Sequence, residues 1–307
     1  MKQHNHIRWS ATSDQIYIIN LDPNFDFTVN IKERFVLPIK KFNFPGGDPH
    51  FQVDFPNVVS TQKLIITQRI NGSSDFFDIL LANDAARRMG FSDIELVIPY
   101  FPAARQDRVC NDGEPLTVKV FADLINNCKF SSVVIYGPHS EVAPALLDNV
   151  VVLDYDHIYI KRIIDMHPNE KVINIVCPDA GAGKRVGKLV QKLANDDSDR
   201  TYNLIRCEKI RDVKDGSLKE FFVQDNDLHG ALTIISDDCV AYGGTFLGLA
   251  DKLVERNCGP LAIFTSHADC QKGLDNLATK FYKVFTTNSK QDFAESDIIN
   301  LFKIELL

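Results

Sequence analysis

The sequence predicts an α/β protein of two similar lobes, each a mostly parallel sheet flanked by helices. Two stretches carry that prediction. In ALTIISDDCVAYGGTFLGL, a short apolar run (Ala231 to Ile235) leads to Asp237 and Asp238, then to Gly243, Gly244 and Thr245, then to Phe246, Leu249 and Leu253 at helical spacing. That order is strand, loop, helix, with acid and glycine at the strand's carboxyl end, where open α/β sheets place ligands. In the second stretch, ELVIP (Glu95 to Pro99) reads as a buried strand with a helical pattern on either side of it. A chain of 307 residues makes one large or two medium domains. We place the boundary near Asp148, giving lobes of residues 1–148 and 149–307.

Taken in order, Tyr17 to Leu21 and Phe35 to Phe42 read as strands. The turn residues of NFPGGDPHFQVDF, Asn43 to Phe55, suggest a hairpin. Lys63 to Thr67 is a further strand. Ser73 or Ser74 then caps a helix with Asp75 in its first turn, Arg87 and Arg88 in its last, and Gly90 as its stop. Phe76, Ile79, Leu80, Asn83 and Ala86 share one face of it, which packs on the sheet. After ELVIP, YFPAARQDR sets Arg105 and Arg108 beside Gln106 and Asp107. Guanidinium forks suit phosphate oxygens, and a solvated basic turn has the same composition. A helix from Leu116 to Asn126 leads to a strand, Ser132 to Tyr136, that ends in GPHS; a lone histidine after a strand, as His139 is, is more often structural than a ligand.

Val150 to Leu153 opens the second lobe. The helical segment Ile160 to Met166 precedes the strand Lys171 to Val176, which ends in CPDAGAGKR. A P-loop is excluded, because Pro178 stands where glycine is needed and Arg185 where serine or threonine is needed. A helix, Lys184 to Leu193, follows. Tyr202 to Cys207 is a strand, polar EKIRDVKDGS reads as an exposed hairpin, and Phe221 to Val223 returns along it. Leu261 to Thr265 is a strand, and Asp292 to Leu307 alternates polar and apolar residues without a motif. There is no internal repeat and no low-complexity linker.

Composition narrows the classes. At 45% hydrophobic and 24% charged the chain is an ordinary globular one, and a net charge of -7 argues against a nucleic-acid footprint. No apolar run approaches the roughly 20 residues of a membrane span. The amino-terminal MKQHNHIRWSATSDQ has no apolar signal core, so we expect a cytoplasmic protein. The seven cysteines form no CxxC pair and read as reduced, mostly buried thiols.

On spacing alone, the glycines of the central stretch allow backbone N–H groups to curl toward a phosphate at a helix N-terminus. Its paired carboxylates suit vicinal sugar hydroxyls or a cation's water shell. An ordinary βα turn with exposed acids fits equally well. DDCVAYGGT also resembles the ribose-phosphate loop of the phosphoribosyltransferase-like superfamily, D-D-x-x-D-[TS]-G-G-T. PYFPAARQDR followed by GEPLTVK, and CPDAGAGKR, are similar to patterns of one branch, the ribose-phosphate pyrophosphokinases (PRPP synthetases). The resemblance runs from about Phe44 to His267.

That resemblance implies two phosphoribosyltransferase-like lobes and Mg²⁺-dependent transfer of the β,γ-diphosphoryl group of ATP to an anomeric ribose hydroxyl, releasing AMP. It implies that Arg105, Gln106, Asp107 and Arg108 face ATP, and that Phe44 and Asp48 reach ATP in a neighbouring subunit of a homo-oligomer, a dimer or hexamer. It assigns His139 and Asp179 to Mg²⁺, with Asp179 facing either the ribose or the metal, Asp237 and Asp238 to the ribose hydroxyls, Ala241 to Thr245 (AYGGT) to the phosphate, and Lys209 and Arg211 to a mobile catalytic loop. Phosphoryl transfer needs positioning and charge neutralisation more than covalent help.

The chain departs from the pattern at Gly137, where the family has a metal-facing Asp, and at Ala241 and Tyr242, where it has Asp and a small hydroxyl residue. Tyr242 puts an aromatic face where a phosphate's hydroxyl donor is expected, which suits a substituted phosphate continuing into a bulky group. Among relatives encoded by phages, ADP-ribose is an acceptor for rebuilding NAD⁺, and the altered loop leans the expectation toward ADP-ribose over ribose 5-phosphate. A catalytically silent regulatory or binding homologue is the other class, against which the retained Lys209 and Arg211 speak.

Overall fold

Apolar runs bounded by turn residues become the strands of two sheets in the computed structural model, which describes residues 15–29, 33–54, 62–211 and 218–306. The chain divides into two units, one of residues 1–153, 289–291 and 303–307, the other of residues 154–288 and 292–302.

The first unit contains β1 (Gln15–Asn20), β2 (Thr28–Val29), β3 (Glu33–Val36), β4 (Ile39–Asn43), β5 (Pro49–Val53), β6 (Lys63–Thr67), α1 (Ser73–Arg88), β7 (Ile94–Ile98), α2 (Thr117–Asn127), β8 (Ser132–Tyr136), α3 (Val142–Leu146) and β9 (Val150–Leu153). Its sheet runs β3-β1-β6-β7-β8-β9, parallel throughout. All five residues of β7 are buried, as a strand covered on both faces requires. Ile79, Ala82 and Ala86 of α1 and Val118, Ala122 and Ile125 of α2 pack with Leu64, Ile66, Leu96, Ile98 and Val133 of the sheet. Each large aliphatic side chain so buried contributes about 1.5–3 kcal/mol.

Three local expectations change here. The strand expected over Phe35 to Phe42 breaks at Leu37 and Pro38, because proline supplies no N–H to the ladder. Its second part, β4, pairs antiparallel with β5 as a separate exposed hairpin. The cap of α1 falls to Gly72 rather than to a serine: the Asp75 carboxylate accepts from the N–H groups of Asn71 at 2.9 Å and Gly72 at 3.1 Å. The division of the chain lies after Leu153 rather than near Asp148, because β9 pairs with β8.

The second unit contains α4 (Asp156–Asp165), β10 (Val172–Cys177), α5 (Gly183–Asp196), β11 (Thr201–Arg211), β12 (Leu218–Val223), β13 (Leu232–Val240), α6 (Gly244–Glu255), β14 (Leu261–Ala268), α7 (Gln271–Leu277), β15 (Lys283–Thr287) and β16 (Ile299–Phe302); β17 (Glu305–Leu306) returns to pair with β2. The sheet order is β12-β11-β10-β13-β14-β15-β16. All pairs are parallel except β11 with β12. From β10 the chain moves outward on one side to β11, then crosses to β13 on the other, so the order reverses at β10. Crevices at such switch points are where open α/β sheets hold ligands.

The strand expected to stop near Ile235 continues to Val240, paired with β14 as far as Val240 with Ala268, so Asp237 and Asp238 lie on the strand and not in the loop after it. The motifless carboxyl-terminal segment supplies β16 and β17. The seven cysteines are free thiols; Cys177 and Cys207 are buried, Cys110 is exposed, and the other four lie between, so the thiols are less buried than the apolar runs suggest.

Candidate active site

In the second unit, the carboxyl ends of three adjacent parallel strands bring most of the expected residues into one neighbourhood. Asp179 follows β10, Lys209 stands on β11, and Asp237 and Asp238 on β13. Lys209 Nζ donates to Asp179 Oδ2 at 2.6 Å. Asp179 Oδ1 accepts from the N–H of Ala182 at 3.1 Å, one residue before α5 begins. Burial alone would raise the pKa of Asp179, but the Lys209 ammonium and the N–H groups of Ala182 and Gly181 outweigh it, and the carboxyl titrates below its usual range.

Asp237 behaves oppositely. Burial, then the neighbouring Asp238 charge, push its pKa up to about 7, while the Arg185 guanidinium pulls the other way. One proton can thus be held on the Asp237–Asp238 pair near neutrality. Asp237 Oδ1 accepts from the Asp238 N–H at 2.9 Å and from Arg185 Nη2 at 3.2 Å.

The loop from Ala241 to Thr245 joins β13 to α6. Gly243 is the residue before the helix, at φ 77°, a left-handed conformation that glycine adopts without cost. Its carbonyl accepts from Phe246 N at 2.9 Å and Leu247 N at 3.1 Å. Helix α7 grips the loop by its carbonyls: Cys270 Sγ donates to Ala241 O at 3.4 Å and Asn276 Nδ2 to Tyr242 O at 2.9 Å. Gly273 of α7 comes so close that a Cβ there would lie 1.8 Å from Ala241 O. Gly244 is exposed, Thr245 half-buried, and the Tyr242 side chain is 67% exposed. Tyr242 is therefore not a packing residue of this unit.

In the first unit, Arg105, Gln106, Asp107 and Arg108 follow β7, and His139 follows β8, the next strand of the sheet. A tight turn sets the first group: Gln106 N donates to Ala103 O at 2.8 Å, with Ala103 at φ 55°. Arg105, Gln106, Arg108 and His139 are exposed and Asp107 is half-buried. Gly137 sits at φ 49°, so the position where the resemblance led us to expect a metal-facing Asp has a glycine-favoured backbone. Phe44 and Asp48 lie at the exposed tip of the β4–β5 hairpin, where Phe44 N donates to Asp48 O at 2.9 Å and the Phe44 ring makes edge contacts with Phe42 and His50. Arg211 closes β11, and its side chain, like residues 212–217, lies outside the described residues.

Two groups in this neighbourhood were not expected. Arg185 ties the site to Asp156, and α7 buttresses the loop. Arg185 closes CPDAGAGKR, but nothing in the sequence marks what it reaches; Asp156, Cys270, Gly273 and Asn276 carried no signal.

For a magnesium ion, among the described residues no group of three His, Cys, Asp or Glu side chains converges. Magnesium carried by a nucleotide keeps its waters and phosphate oxygens and needs only one or two carboxylates. The ionised Asp179 is a hard oxygen donor of that kind, so the residues fit the ion.

Charged groups at the carboxyl ends of parallel strands, with a glycine-led helix after a carboxylate pair, stand where open α/β sheets hold their ligands. Comparison with known proteins narrows this. Residues 16–128 match the family model for the N-terminal domain of ribose phosphate pyrophosphokinase. The chain is 24% identical to a putative ribose-phosphate pyrophosphokinase 2 of Lactiplantibacillus plantarum across 96% of its own length and 92% of the relative's. It is 27% identical to the ribose-phosphate pyrophosphokinase of Thermococcus kodakarensis, over 83% of this chain and 86% of that one. The crystal structure of phosphoribosylpyrophosphate synthetase from Mycobacterium smegmatis superposes with a TM-score of 0.74 at 18% identity, covering 94% of each chain, and so shares the fold. The chain is thus similar to ribose-phosphate pyrophosphokinases along nearly its whole length.

Proposed function

We propose that the protein is a ribose-phosphate pyrophosphokinase, transferring the β,γ-diphosphoryl group of ATP to the 1-hydroxyl of ribose 5-phosphate with release of AMP. The observation that carries this reading is the convergence, at one sheet switch point, of the Asp179–Lys209 pair, the Asp237–Asp238 pair and the glycine-led start of α6. Each member answers one demand of the reaction. Backbone N–H groups at the start of α6 hold the acceptor's 5-phosphate. Asp237 and Asp238 accept hydrogen bonds from its 2- and 3-hydroxyls and so orient the 1-hydroxyl toward the phosphorus. The Lys209 ammonium, exchanging Asp179 for phosphate oxygens, neutralises charge on the transferring group. Magnesium supplies further neutralisation when bound; Asp179, and separately His139, would hold it.

Arg105, Gln106, Asp107 and Arg108 take the nucleotide phosphates and base, and Arg211, two residues beyond Lys209 at the end of β11, joins it in neutralising the transferring group. Phe44 and Asp48 serve ATP held by a second copy, making the protein a homo-oligomer. Among the described residues no helix is long and apolar enough to cross a membrane.

A second reading, in which the acceptor is ADP-ribose, is favoured by Tyr242, whose exposed ring stands on the phosphate loop ready to stack on a group beyond the phosphate. The relatives' names favour ribose 5-phosphate. Rates of AMP release from MgATP with each acceptor decide between them: turnover with ribose 5-phosphate supports the first reading, turnover with ADP-ribose alone the second, and no turnover with either rejects both.

A further inference from the structure

We propose that Arg185 is a positioning residue for the acceptor, acting through Asp237: its guanidinium is the clamp that sets the carboxylate meant for a ribose hydroxyl. The inference rests on the reading of Asp237 and Asp238 as the pair that binds the sugar diol. Arg185 lies in the first turn of α5 and reaches across to the end of β13. Its Nη2 donates to the Ser236 carbonyl at 3.1 Å and to Asp237 Oδ1 at 3.2 Å. Its Nη1 donates to Asp156 Oδ2 at 3.2 Å and contacts Ser236 Oγ at 3.4 Å. Both amino groups are thus committed, one to the strand that carries the acid pair and the other to an anchor.

The anchor is itself fixed. Asp156 opens α4, is buried, and accepts from Ser266 Oγ of β14 at 3.0 Å and 3.1 Å through its two oxygens. Ser266 is fully buried, and its carbonyl accepts from Thr287 Oγ1 of β15 at 2.6 Å. The chain Thr287, Ser266, Asp156, Arg185, Asp237 therefore crosses from the interior of the sheet to the proposed diol site. A planar guanidinium suits this place: it holds two carboxylates in one orientation, which a point charge cannot do. With Arg185 and the Asp238 N–H both on Oδ1, rotation of the Asp237 carboxylate about Cβ–Cγ is fixed. A plain structural bridge would have no need to end on one of two adjacent acids at the carboxyl edge of the switch-point strand.

The test compares the whole enzyme with R185M, R185K, D237N and the double variant R185M/D237N. Initial rates are measured against ribose 5-phosphate at saturating MgATP, and ATP affinity by equilibrium binding without acceptor. Loss of a charge-assisted hydrogen bond predicts a rise of about 10- to 100-fold in the acceptor KM of R185M. ATP binding should stay within about twofold, and R185K, keeping charge without the fork, should recover part of the loss. Because Arg185 works through Asp237, R185M/D237N should be little worse than D237N alone. If R185M does not melt cooperatively, S266A, which removes only the hydroxyl holding Asp156, carries the same expectation at smaller size. An acceptor KM unchanged in a folded R185M, or losses that simply multiply in the double variant, overturn the role of Arg185 while leaving the function intact. A wild-type chain that releases no AMP with ribose 5-phosphate overturns the underlying reading, and this role with it.

Discussion

Replacing Gly273 by alanine should impair the acceptor's site while sparing the nucleotide's. The new Cβ would lie 1.8 Å from the Ala241 carbonyl oxygen and 2.9 Å from its carbon. An ordinary carbon–oxygen contact is about 3.3 Å, so α7 and the loop must part by about 1.5 Å. Both sides are backbone, so no side chain can swing away to absorb the clash. Overpacking of this kind costs about 1–3 kcal/mol, a fall in melting temperature of roughly 2–10 °C. The parting also strains the bonds from Cys270 and Asn276 that hold the loop by its carbonyls. A misplacement of about 1 Å can cost on the order of 10²-fold in rate. G273A should therefore show kcat/KM for ribose 5-phosphate lowered about 10²-fold, with ATP affinity within twofold of wild type. Gly187 on α5 is the control, because a Cβ there meets nothing within 4 Å. G187A should be neutral or gain about 0.5–1 kcal/mol from helix propensity. A folded G273A with wild-type acceptor kinetics would show that α7 does not shape the loop, and the assignment of Ala241 to Thr245 to the phosphate would lose its support.

Lys209→Ala should lower kcat by at least about 10²-fold with a small change in ATP affinity, measured by single-turnover AMP release; an unchanged kcat would remove Lys209 from the chemistry. The pKa of Asp237, raised to about 7, sets two opposed pH dependences. The folded state keeps a proton that the unfolded chain loses near its ordinary carboxylate pKa, so this group's contribution to stability is full below that pKa and is lost as pH rises through about 7. Acceptor binding, which uses the ionised form, should strengthen over the upper part of that range, and in R185M its inflection should move to higher pH; an inflection at the same pH in both proteins would contradict the pairing. Lys63 and Glu95 form a largely buried ion pair at the amino end of β6 and β7, and burial pushes the Glu95 carboxyl above its usual range despite the lysine. Lys63→Met should cost about 3–5 kcal/mol near neutral pH by leaving Glu95 unpaired, read by denaturant unfolding, and part of the loss should return on acidification; a midpoint within error of wild type would refute it.

The parts of the fold carried by local pattern were legible in the sequence. ELVIP announced β7 because a strand covered on both faces needs an unbroken apolar run. The strand, acid, glycine, helix order of the central stretch announced the β13–α6 junction, though not that β13 extends through its acids. That extension is set by pairing with β14, a long-range contact that the local run Ala231 to Ile235 does not encode. The break at Pro38 was written in the residue itself and was passed over in favour of β propensity on either side. Asp179, Lys209 and the acid pair were singled out because they sit in motifs, and the fold brings them to the carboxyl ends of adjacent strands. Arg185's reach to Asp156, and the approach of α7 to the loop, are made by residues far apart in the chain, and a single sequence carries no mark of either. The exposure of Tyr242, too, could not be read from the sequence and shows only in the fold.

The central claim is that a diphosphoryl group, and not a single phosphoryl group, moves from ATP to the sugar. Phosphorus NMR of MgATP and ribose 5-phosphate incubated with the protein tests it directly. The account predicts AMP and a sugar bearing a new diphosphate at C1 in equal amounts, with neither ADP nor free phosphate. ADP with a monophosphorylated product, or ATP left unchanged, would contradict it.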